Sequence, residues 1–364
     1  MLSGTSGSSG PGDPGAPGAP GARGGLGVRV LGAGIVGLAV AEELQRRGHR
    51  VEVVDPAHAS GASWAAAGML SPAGELWHGE EQVHALGRAS ADLWPGYAER
   101  LGVPLRHGTL LVAADAGDRQ QVDRQVALAR AHGEEPLDLT RRDLLAREPR
   151  LGQVVGGAFL ADDHSVDPRA VVGALRERVG VVPVASASQP DVVVVATGAA
   201  VPAAYLPAGR ALVRPVRGDV LRLRVAAADL PRHTVRGWVH GEQVYVVPRA
   251  GGEVVVGATQ EERALGDAAA TVEAVWRLLD AARRLLPGLD RAHLVEAIAR
   301  ERPGTPDNLP LIGPSAVPGV VLAAGHFRHG VLLAPLTARL VADHLENGHV
   351  EPALDPRRFT EGAA

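Results

Sequence analysis

The residues best suited to bind a cofactor form the glycine-rich segment Gly32-Ala-Gly-Ile-Val-Gly37. Gly32 permits a tight turn, Gly34 lets a pyrophosphate approach the backbone, and Gly37 lets a helix pack closely on a sheet. Because free N–H groups at a helix N-terminus favour phosphate, this spacing predicts a dinucleotide-binding turn. Asp55 follows about twenty residues later, as expected for a group that binds the adenosine ribose. Its charge would repel a 2′-phosphate and therefore disfavours NADP.

The glycine motif alone does not distinguish FAD from NAD, and a glycine turn in some other α/β protein remains the alternative. Downstream, Gly61-Ala-Ser-Trp-Ala-Ala-Ala-Gly68 is a run of mostly small residues. Small side chains allow a cofactor to lie against the backbone, although the same composition also suits a tightly packed helix.

A third candidate segment lies late in the chain, where Arg302-Pro-Gly-Thr-Pro-Asp307 precedes Gly325-His-Phe-Arg-His-Gly330. Arginine suits bidentate binding of the carboxylate of a small amino acid. Such a charge-assisted contact contributes roughly 1.5–3 kcal/mol. The alternatives for Arg302 are an ion pair with Asp307 or a contact with backbone carbonyls.

Together these segments resemble the glycine oxidase (ThiO) family, within the wider superfamily of D-amino-acid oxidases and sarcosine oxidases. The resemblance covers most of residues 28–346. Its most specific parts are the Ser-Trp-Ala-Ala-Ala-Gly-Met run, Val246-Val-Pro-Arg with Val256-Gly-Ala-Thr259, and the two late segments. It implies a D-amino-acid-oxidase-like fold and non-covalently bound FAD.

The resemblance also assigns roles to residues of this chain. The cofactor-binding set would be Gly32, Gly34, Ile35, Val36, Gly37, Asp55, Ser63, Ala67, Gly68, Met69, Val184, His326, Phe327, Arg328, His329, Gly330, Val331 and Leu332. The substrate carboxylate would be bound by Arg302, with Tyr245 and Arg328 in the same pocket. A core tyrosine is an equally good interpretation of Tyr245, and a packed loop histidine is favoured over a base for His326.

The sequence departs from this family in three places. His329 stands where relatives usually carry asparagine. The segment between Arg178 and Asp191 is shorter than the strands that relatives place beside the adenine. Trp64 is bulky among small residues and is expected to narrow the pocket in favour of small substrates.

The expected reaction is oxidative deamination of glycine or a similar small amine, by hydride transfer to flavin N5. Its products would be hydrogen peroxide and an imine for thiamine thiazole synthesis, with O₂ as acceptor and thiazole synthase pathway proteins as partners. One alternative is a sarcosine or D-amino-acid oxidase or dehydrogenase of broader specificity. Another is a degenerate, flavin-free binding protein, which the short 178–191 region would allow. A homo-oligomer is expected from the relatives.

These segments must be positioned by elements that the sequence pattern also predicts. A strand, a helix over 35–47 and a second strand form a βαβ unit. Asp167 and Pro168 begin a helix that runs to about residue 179. Alternating residues over 212–259 predict antiparallel strands, and helices are expected over 271–286 and 330–346.

The predicted class is α/β (α+β overall), with a Rossmann-type FAD-binding domain interrupted by an antiparallel-sheet substrate domain. We assign 26–80, 150–205 and 300–350 to the FAD-binding domain, and 81–149 and 206–299 to the substrate domain. Residues 1–25 are expected to be a disordered Gly/Pro/Ser-rich leader, and 351–364 a C-terminal tail.

Composition narrows the function further. The 364 residues include no cysteine and carry a net charge of −4. Disulfides, thiolate metal sites and a cysteinyl-linked flavin are therefore excluded. No basic stretch favours nucleic acid, no long apolar stretch favours a membrane, and no histidine–carboxylate spacing suggests a metal. A cytoplasmic protein is expected.

Overall fold

The computed structural model describes residues 25–57, 61–262 and 268–360. The predicted disordered leader lies outside the described residues, apart from residue 25. Helices of the described residues are all too short or too polar to cross a membrane. The strands, in chain order, are β1 Gly27–Leu31, β2 Arg50–Val54, β3 Met69–Leu70, β4 Thr109–Ala113, β5 Leu137–Thr140, β6 Gly156–Leu160, β7 His164–Ser165, β8 Val192–Val195, β9 Arg214–Arg224, β10 Thr234–Val239, β11 Glu242–Pro248, β12 Glu253–Gly257, β13 His293–Gly304, β14 Leu311–Pro314 and β15 Val320–Ala324.

Helices connect and cover these strands. They are α1 Ile35–Arg46, α2 Ala62–Ala65, α3 Glu81–Ala91, α4 Trp94–Leu101, α5 Ala116–Ala131, α6 Arg141–Arg147, α7 Pro168–Val179, α8 Val272–Leu285 and α9 Ala334–Asn347. The start of α7 is the predicted one. Asp167 accepts a hydrogen bond from the Arg169 N–H at 2.9 Å, and Pro168 occupies the first turn, where its missing N–H costs nothing.

The first sheet has five strands in the order β14-β15-β8-β1-β2. β1 pairs in parallel with both β2 and β8, while β14 is antiparallel to β15. β1, α1 and β2 form the predicted βαβ unit. Val30, Leu38 and Val194 are buried in the core of this layer. This packing fixes the loop between β1 and α1, which is the glycine motif.

The second sheet has eight strands in the order β13-β9-β12-β11-β10-β4-β6-β5. Its pairs are antiparallel except β10 with β4, which confirms the antiparallel strands expected over 212–259. α8 covers one face, and Leu278, Ala282 and Leu285 are buried against the strands. The two sheets together confirm the predicted mixed α/β class.

The structure differs from the predicted domain division in several places. β6 pairs with β4 in the eight-stranded sheet, although 150–205 was assigned to the nucleotide side. Conversely, Val83 and Trp94 of α3 and α4 are buried in the core of the five-stranded sheet, although 81–149 was assigned to the substrate side. Apolar faces decide these placements, and their partners are distant in the chain.

The C-terminal region also differs from its prediction. α9 begins at Ala334 rather than at residue 330, because Gly330 and the following residues form a turn before the helix. Residues 352–359 are not simply a tail, since they form two short 3₁₀ helices. Leu354 is fully buried there, and Arg358 binds Asp307 at 2.8 Å.

Candidate functional site

A cavity of about 840 Å³ lies between the two sheets. One part of its wall is the loop after β1, which contains Gly32 and Gly34. Other parts are Tyr245 of β11 and Arg302 of β13. The cavity therefore joins the segments that carry the candidate chemistry, although they are widely separated in sequence.

The glycine turn has the geometry that the motif predicts. Gly32 has φ of +102°, a conformation that favours glycine, and a Cβ there would clash with the Ala196 carbonyl. A Cβ on Gly37 would clash with the Gly32 carbonyl, so Gly37 permits the close packing of α1. At Gly34, the one described atom that a Cβ would meet within 4 Å is the Ser63 Oγ, at 3.4 Å. The backbone at Gly34 is thus open to the cavity.

Polar groups surround this turn. Asp55 directly follows β2, and its Oδ2 accepts a hydrogen bond from the Ala33 N–H at 2.7 Å. Its other oxygen accepts the Ala57 N–H at 2.8 Å. The first N–H of α1, from Ile35, donates to the Ser63 Oγ at 3.0 Å. A helix N-terminus and a carboxylate therefore share one end of the cavity.

The run of small residues provides both cavity wall and core. Ala65 and Ala67 are buried against the eight-stranded sheet, which is the packing alternative, and both also line the cavity. Gly68 has φ of +66° and allows the chain to pass the Val166 carbonyl. The Trp64 ring lies 3.9 Å from the Arg169 guanidinium carbon. Trp64 lines the cavity with this arginine packed over it.

The loop before α9 is tightly held. The His326 Nε2 lies 2.9 Å from the Thr337 Oγ1 of α9, and burial lowers the pKa of His326 to about 3. The imidazole is therefore neutral at ordinary pH, which supports a packed loop histidine rather than a base. The Leu332 carbonyl accepts hydrogen bonds from Ser90 and Trp94, at 2.6 and 2.8 Å. These contacts anchor the loop to α3 and α4.

Arg302 and Tyr245 line the cavity from the eight-stranded sheet, each packed against a glycine. A Cβ on Gly218 would overlap the Arg302 guanidinium, and a Cβ on Gly257 would overlap the Tyr245 hydroxyl. The Arg302 guanidinium donates to the Thr259 carbonyl at 3.1 Å. Burial raises the pKa of Tyr245, so its hydroxyl stays protonated.

The ion-pair alternative for Arg302 is wrong, because Asp307 binds Arg358 instead. The other alternative, contact with backbone carbonyls, is correct: the Arg302 guanidinium donates to two carbonyls, and the residue also lies in the cavity wall. Arg302 therefore has backbone carbonyls but no carboxylate as partners among the described residues.

Arg328 also lines the cavity, but it is paired with acids. It binds Glu80, and its Nε lies 3.4 Å from a Glu75 oxygen. Glu75 in turn binds Arg236 at 2.7 Å. Burial raises the pKa of Glu75, but Arg236 and other cationic neighbours outweigh it and lower that pKa to about 2. The carboxylate is ionised, so the charge of Arg328 is largely compensated.

Most of the predicted site residues converge on this cavity. Those in its wall are Gly32, Gly34, Ile35, Val36, Asp55, Ser63, Ala67, Gly68, Met69, Tyr245, Arg302, His326, Phe327, Arg328, Gly330 and Val331. Gly37, His329 and Leu332 lie behind the wall. Val184 is 75% exposed and outside it, since the short 178–191 region contributes only one bridge, between Val54 and Val182.

Sequence reasoning missed Glu75, Glu80 and Arg236, which also line the cavity. They belong to no recognisable motif. From sequence alone, charged residues of this kind are expected at the surface, whereas the fold places these three in the cavity wall. One signal for Arg236 was available, because side chains alternate between the two faces along the apolar strand β10. This alternation places the arginine on a defined face of the sheet.

Comparison with known proteins identifies the architecture. The family described as FAD dependent oxidoreductase (DAO) matches residues 28–344. The chain belongs to this family. The predicted FAD-dependent, D-amino-acid-oxidase-like fold is thereby confirmed.

Several relatives of this FAD-dependent oxidoreductase have descriptive names. A bifunctional protein ThiO/ThiG of Trichormus variabilis is 32% identical over 89% of this chain, which spans only 53% of that relative. A glycine oxidase of Geobacillus kaustophilus is 31% identical, with 92% of this chain and 96% of the relative covered. The crystal structure of a glycine oxidase from the same organism matches with a TM-score of 0.77 at 29% identity, covering 94% of this chain and all of that one. The resemblance to the glycine oxidases is confirmed.

The cavity of this oxidoreductase fits FAD. The open backbone at Gly34 and the N-terminus of α1 suit a pyrophosphate, and Asp55 suits a ribose hydroxyl. The wall between Ala67 and Gly330 offers small side chains and backbone to a flat ring. FAD bound there would supply hydride-accepting chemistry.

A second group of residues of metal-binding type lies elsewhere, formed by Asp115, Asp118 and His240. Its oxygens already accept hydrogen bonds. Asp115 caps α5 by accepting the Asp118 N–H at 2.9 Å, and Asp118 accepts the backbone N–H groups of His240 and Gly241 at 2.8 and 2.9 Å. These contacts explain the group as a link between α5 and the β10–β11 turn.

Proposed function

We propose that the enzyme oxidises glycine or a similarly small amino acid to the imine, with formation of hydrogen peroxide. The observation that carries this proposal is the position of Arg302, which has no carboxylate partner among the described residues, in a wall shared with the cofactor-binding turn. A small amino acid has one carboxylate as its main charged group, and an arginine is well suited to it.

The roles of the chain's own residues follow from their positions. Arg302 binds the carboxylate, and the protonated Tyr245 hydroxyl, which lies in the same wall, donates a hydrogen bond to it. Arg328 is compensated by Glu75 and Glu80, so we assign it to shaping the pocket rather than to binding the main carboxylate. FAD bound in this cavity would supply the hydride-accepting and O₂-reducing chemistry, while Arg302 and Tyr245 hold the substrate beside it.

The loop 326–332 and the small-residue run have a different role, since they supply the wall beside the flavin. The neutral His326 adds no charge there, and its bond to Thr337 holds the loop in place. We propose that FAD is bound non-covalently. A cysteinyl link is excluded because the chain has no Cys, and the His326 Nε2 is already hydrogen-bonded to Thr337. Denaturation should then release all of the flavin into solution.

We place the reaction in thiamine biosynthesis, where the imine would serve thiazole formation. A relative from Rhizobium etli named putative thiamine biosynthesis oxidoreductase ThiO supports this placement, since it is 35% identical with 89% of this chain and 98% of that relative covered. Partners from thiazole synthesis, a cytoplasmic location and a homo-oligomeric state belong to the same proposal.

Turnover of glycine, sarcosine and D-alanine, followed as peroxide from one preparation, tests this function. We expect a yellow protein with the highest kcat/KM for glycine. Preference for sarcosine or D-alanine would instead support the oxidase of broader specificity. A colourless protein that FAD does not restore would support the flavin-free alternative, and peroxide-free turnover with an artificial acceptor would indicate a dehydrogenase.

A further inference from the structure

A second arginine in the cavity wall has no role in the function proposed above. Arg300 lies two residues before Arg302 on β13, and both line the cavity. In a strand, residues two apart share one face, at a separation of about 7 Å. Both guanidinium groups therefore belong to the same wall.

Some arginines in this wall are paired with acids, and Arg300 is not paired with any among the described residues. Arg236 and Arg328 are paired with Glu75 and Glu80. Within residues 25–57, 61–262 and 268–360, the Arg300 guanidinium donates a hydrogen bond only to the carbonyl of the neighbouring Ala299, at 2.7 Å. Its Nε is buried and lacks a hydrogen-bond partner within the described part of the chain.

The paired strand offers no acid directly opposite Arg300, since the residue there is Gly218. The next residue of β9, Asp219, is opposite Ala299, is fully buried and binds Arg217 at 2.9 Å. A buried N–H of a charged group without a partner is unfavourable, so this position favours an anionic ligand.

We propose that Arg300 forms a second carboxylate position, so that the pocket takes small amino acids that carry a second carboxylate. The α-carboxylate lies at Arg302 and the second carboxylate at Arg300, with a short spacer between them. This inference rests on the proposed function, because it takes Arg302 as the site of the α-carboxylate.

The test uses the purified holoenzyme and two unreactive probes of equal carbon number, succinate and butyrate. Binding of each is followed by the change that it causes in the visible absorbance of the flavin. We expect succinate to bind at least about ten-fold more tightly than butyrate, since charge-assisted hydrogen bonds add this much or more.

Substitution assigns that preference to a residue. In Arg300→Gln the preference for succinate should disappear, while Arg300→Lys should keep part of it. The matched control is Arg224→Gln, an exposed arginine on β9 outside the cavity, which should keep the whole preference. Equal affinities of wild-type protein for the two probes would overturn the inference, as would equal weakening of both probes in Arg300→Gln.

Turnover separates this inference from the proposed function. We compare two pairs of substrates, D-aspartate with D-alanine and N-carboxymethylglycine with sarcosine. The first member of each pair has a second carboxylate that the other member lacks. Higher kcat/KM for the acidic member of each pair supports the inference. If no amine is oxidised but succinate is still preferred through Arg300, the proposed function fails and the second anion position stands. If glycine is oxidised and neither comparison shows a preference, the inference fails and the function stands.

Discussion

At the scale of single residues, the substrate end of the cavity depends on two glycines as much as on Arg302 and Tyr245. Gly218 and Gly257 leave the space that these two side chains occupy. The sequence identifies Arg302 through its motif, but Gly218 stands in an ordinary strand. Only the packing of the Arg302 side chain across β9 brings its guanidinium over Gly218, because the strand register itself places Gly218 opposite Arg300.

The first prediction concerns this space. Gly218→Ala places a methyl group where the Arg302 guanidinium lies, so the arginine must move. We expect KM for glycine to rise about ten-fold, because a displaced arginine loses part of a charge-assisted contact. The flavin content should not change.

The control is Gly173→Ala on α7, where a Cβ meets no atom within 4 Å. It should leave KM unchanged and stabilise the helix by roughly 0.5–1 kcal/mol. Normal KM in Gly218→Ala would show that the position of Arg302 does not limit glycine binding.

The second prediction concerns the buried Asp163 and the pH dependence of the stability of the fold. It is fully buried, and its carboxylate accepts the Ala73 and Gly74 N–H groups at 3.1 and 2.7 Å, next to Glu75. Burial nevertheless raises its pKa to about 7. Because the folded pKa lies above the unfolded value of about 4, this group stabilises the fold fully below pH 4, and that contribution is lost as pH rises to 7.

The measurement is Tm at pH 5 and pH 7.5 for wild type and Asp163→Asn. Wild type should lose stability between these values through this group, and the variant should show a smaller pH dependence. Identical pH dependence in the two proteins would mean that Asp163 does not titrate in this range.

At the scale of elements, the βαβ unit was predictable because local patterns determine it. Apolar runs, three glycines and Asp55 fix β1, α1 and β2 without distant contacts. The start of α9 was not predictable from local patterns, since residues 330–333 have helical composition but form a turn. The placement of β6 also depends on pairing with β4, which no local pattern specifies.

The βαβ unit gives the next prediction. Gly34→Val puts a branched side chain into the space where a pyrophosphate would approach the backbone. We expect the variant to fold but to be purified without flavin, which the ratio of absorbance at 450 nm to that at 280 nm would show. Full flavin content in this variant would place the phosphates elsewhere.

At the scale of the whole molecule, two sheets from discontinuous stretches of chain enclose one cavity. The sequence predicts its two ends, because both carry motifs of a known family. The sequence does not predict that the acidic side chains of Glu75 and Glu80 line the same cavity. Glu75 and Glu80 line the cavity from the segment between β3 and α3. Distant residues hold this segment: Asp163 accepts the Gly74 N–H, Gln125 donates to the Gly74 carbonyl, and Asn308 donates to Glu80.

The central claim is that Arg302 binds the substrate carboxylate in a cavity that holds FAD. The most direct measurement is the steady-state kinetics of glycine oxidation by Arg302→Ala, with Arg224→Ala as control and flavin content measured in both. We expect KM for glycine to rise about ten- to hundred-fold in Arg302→Ala while the flavin stays bound. Unchanged KM with full flavin content would contradict it.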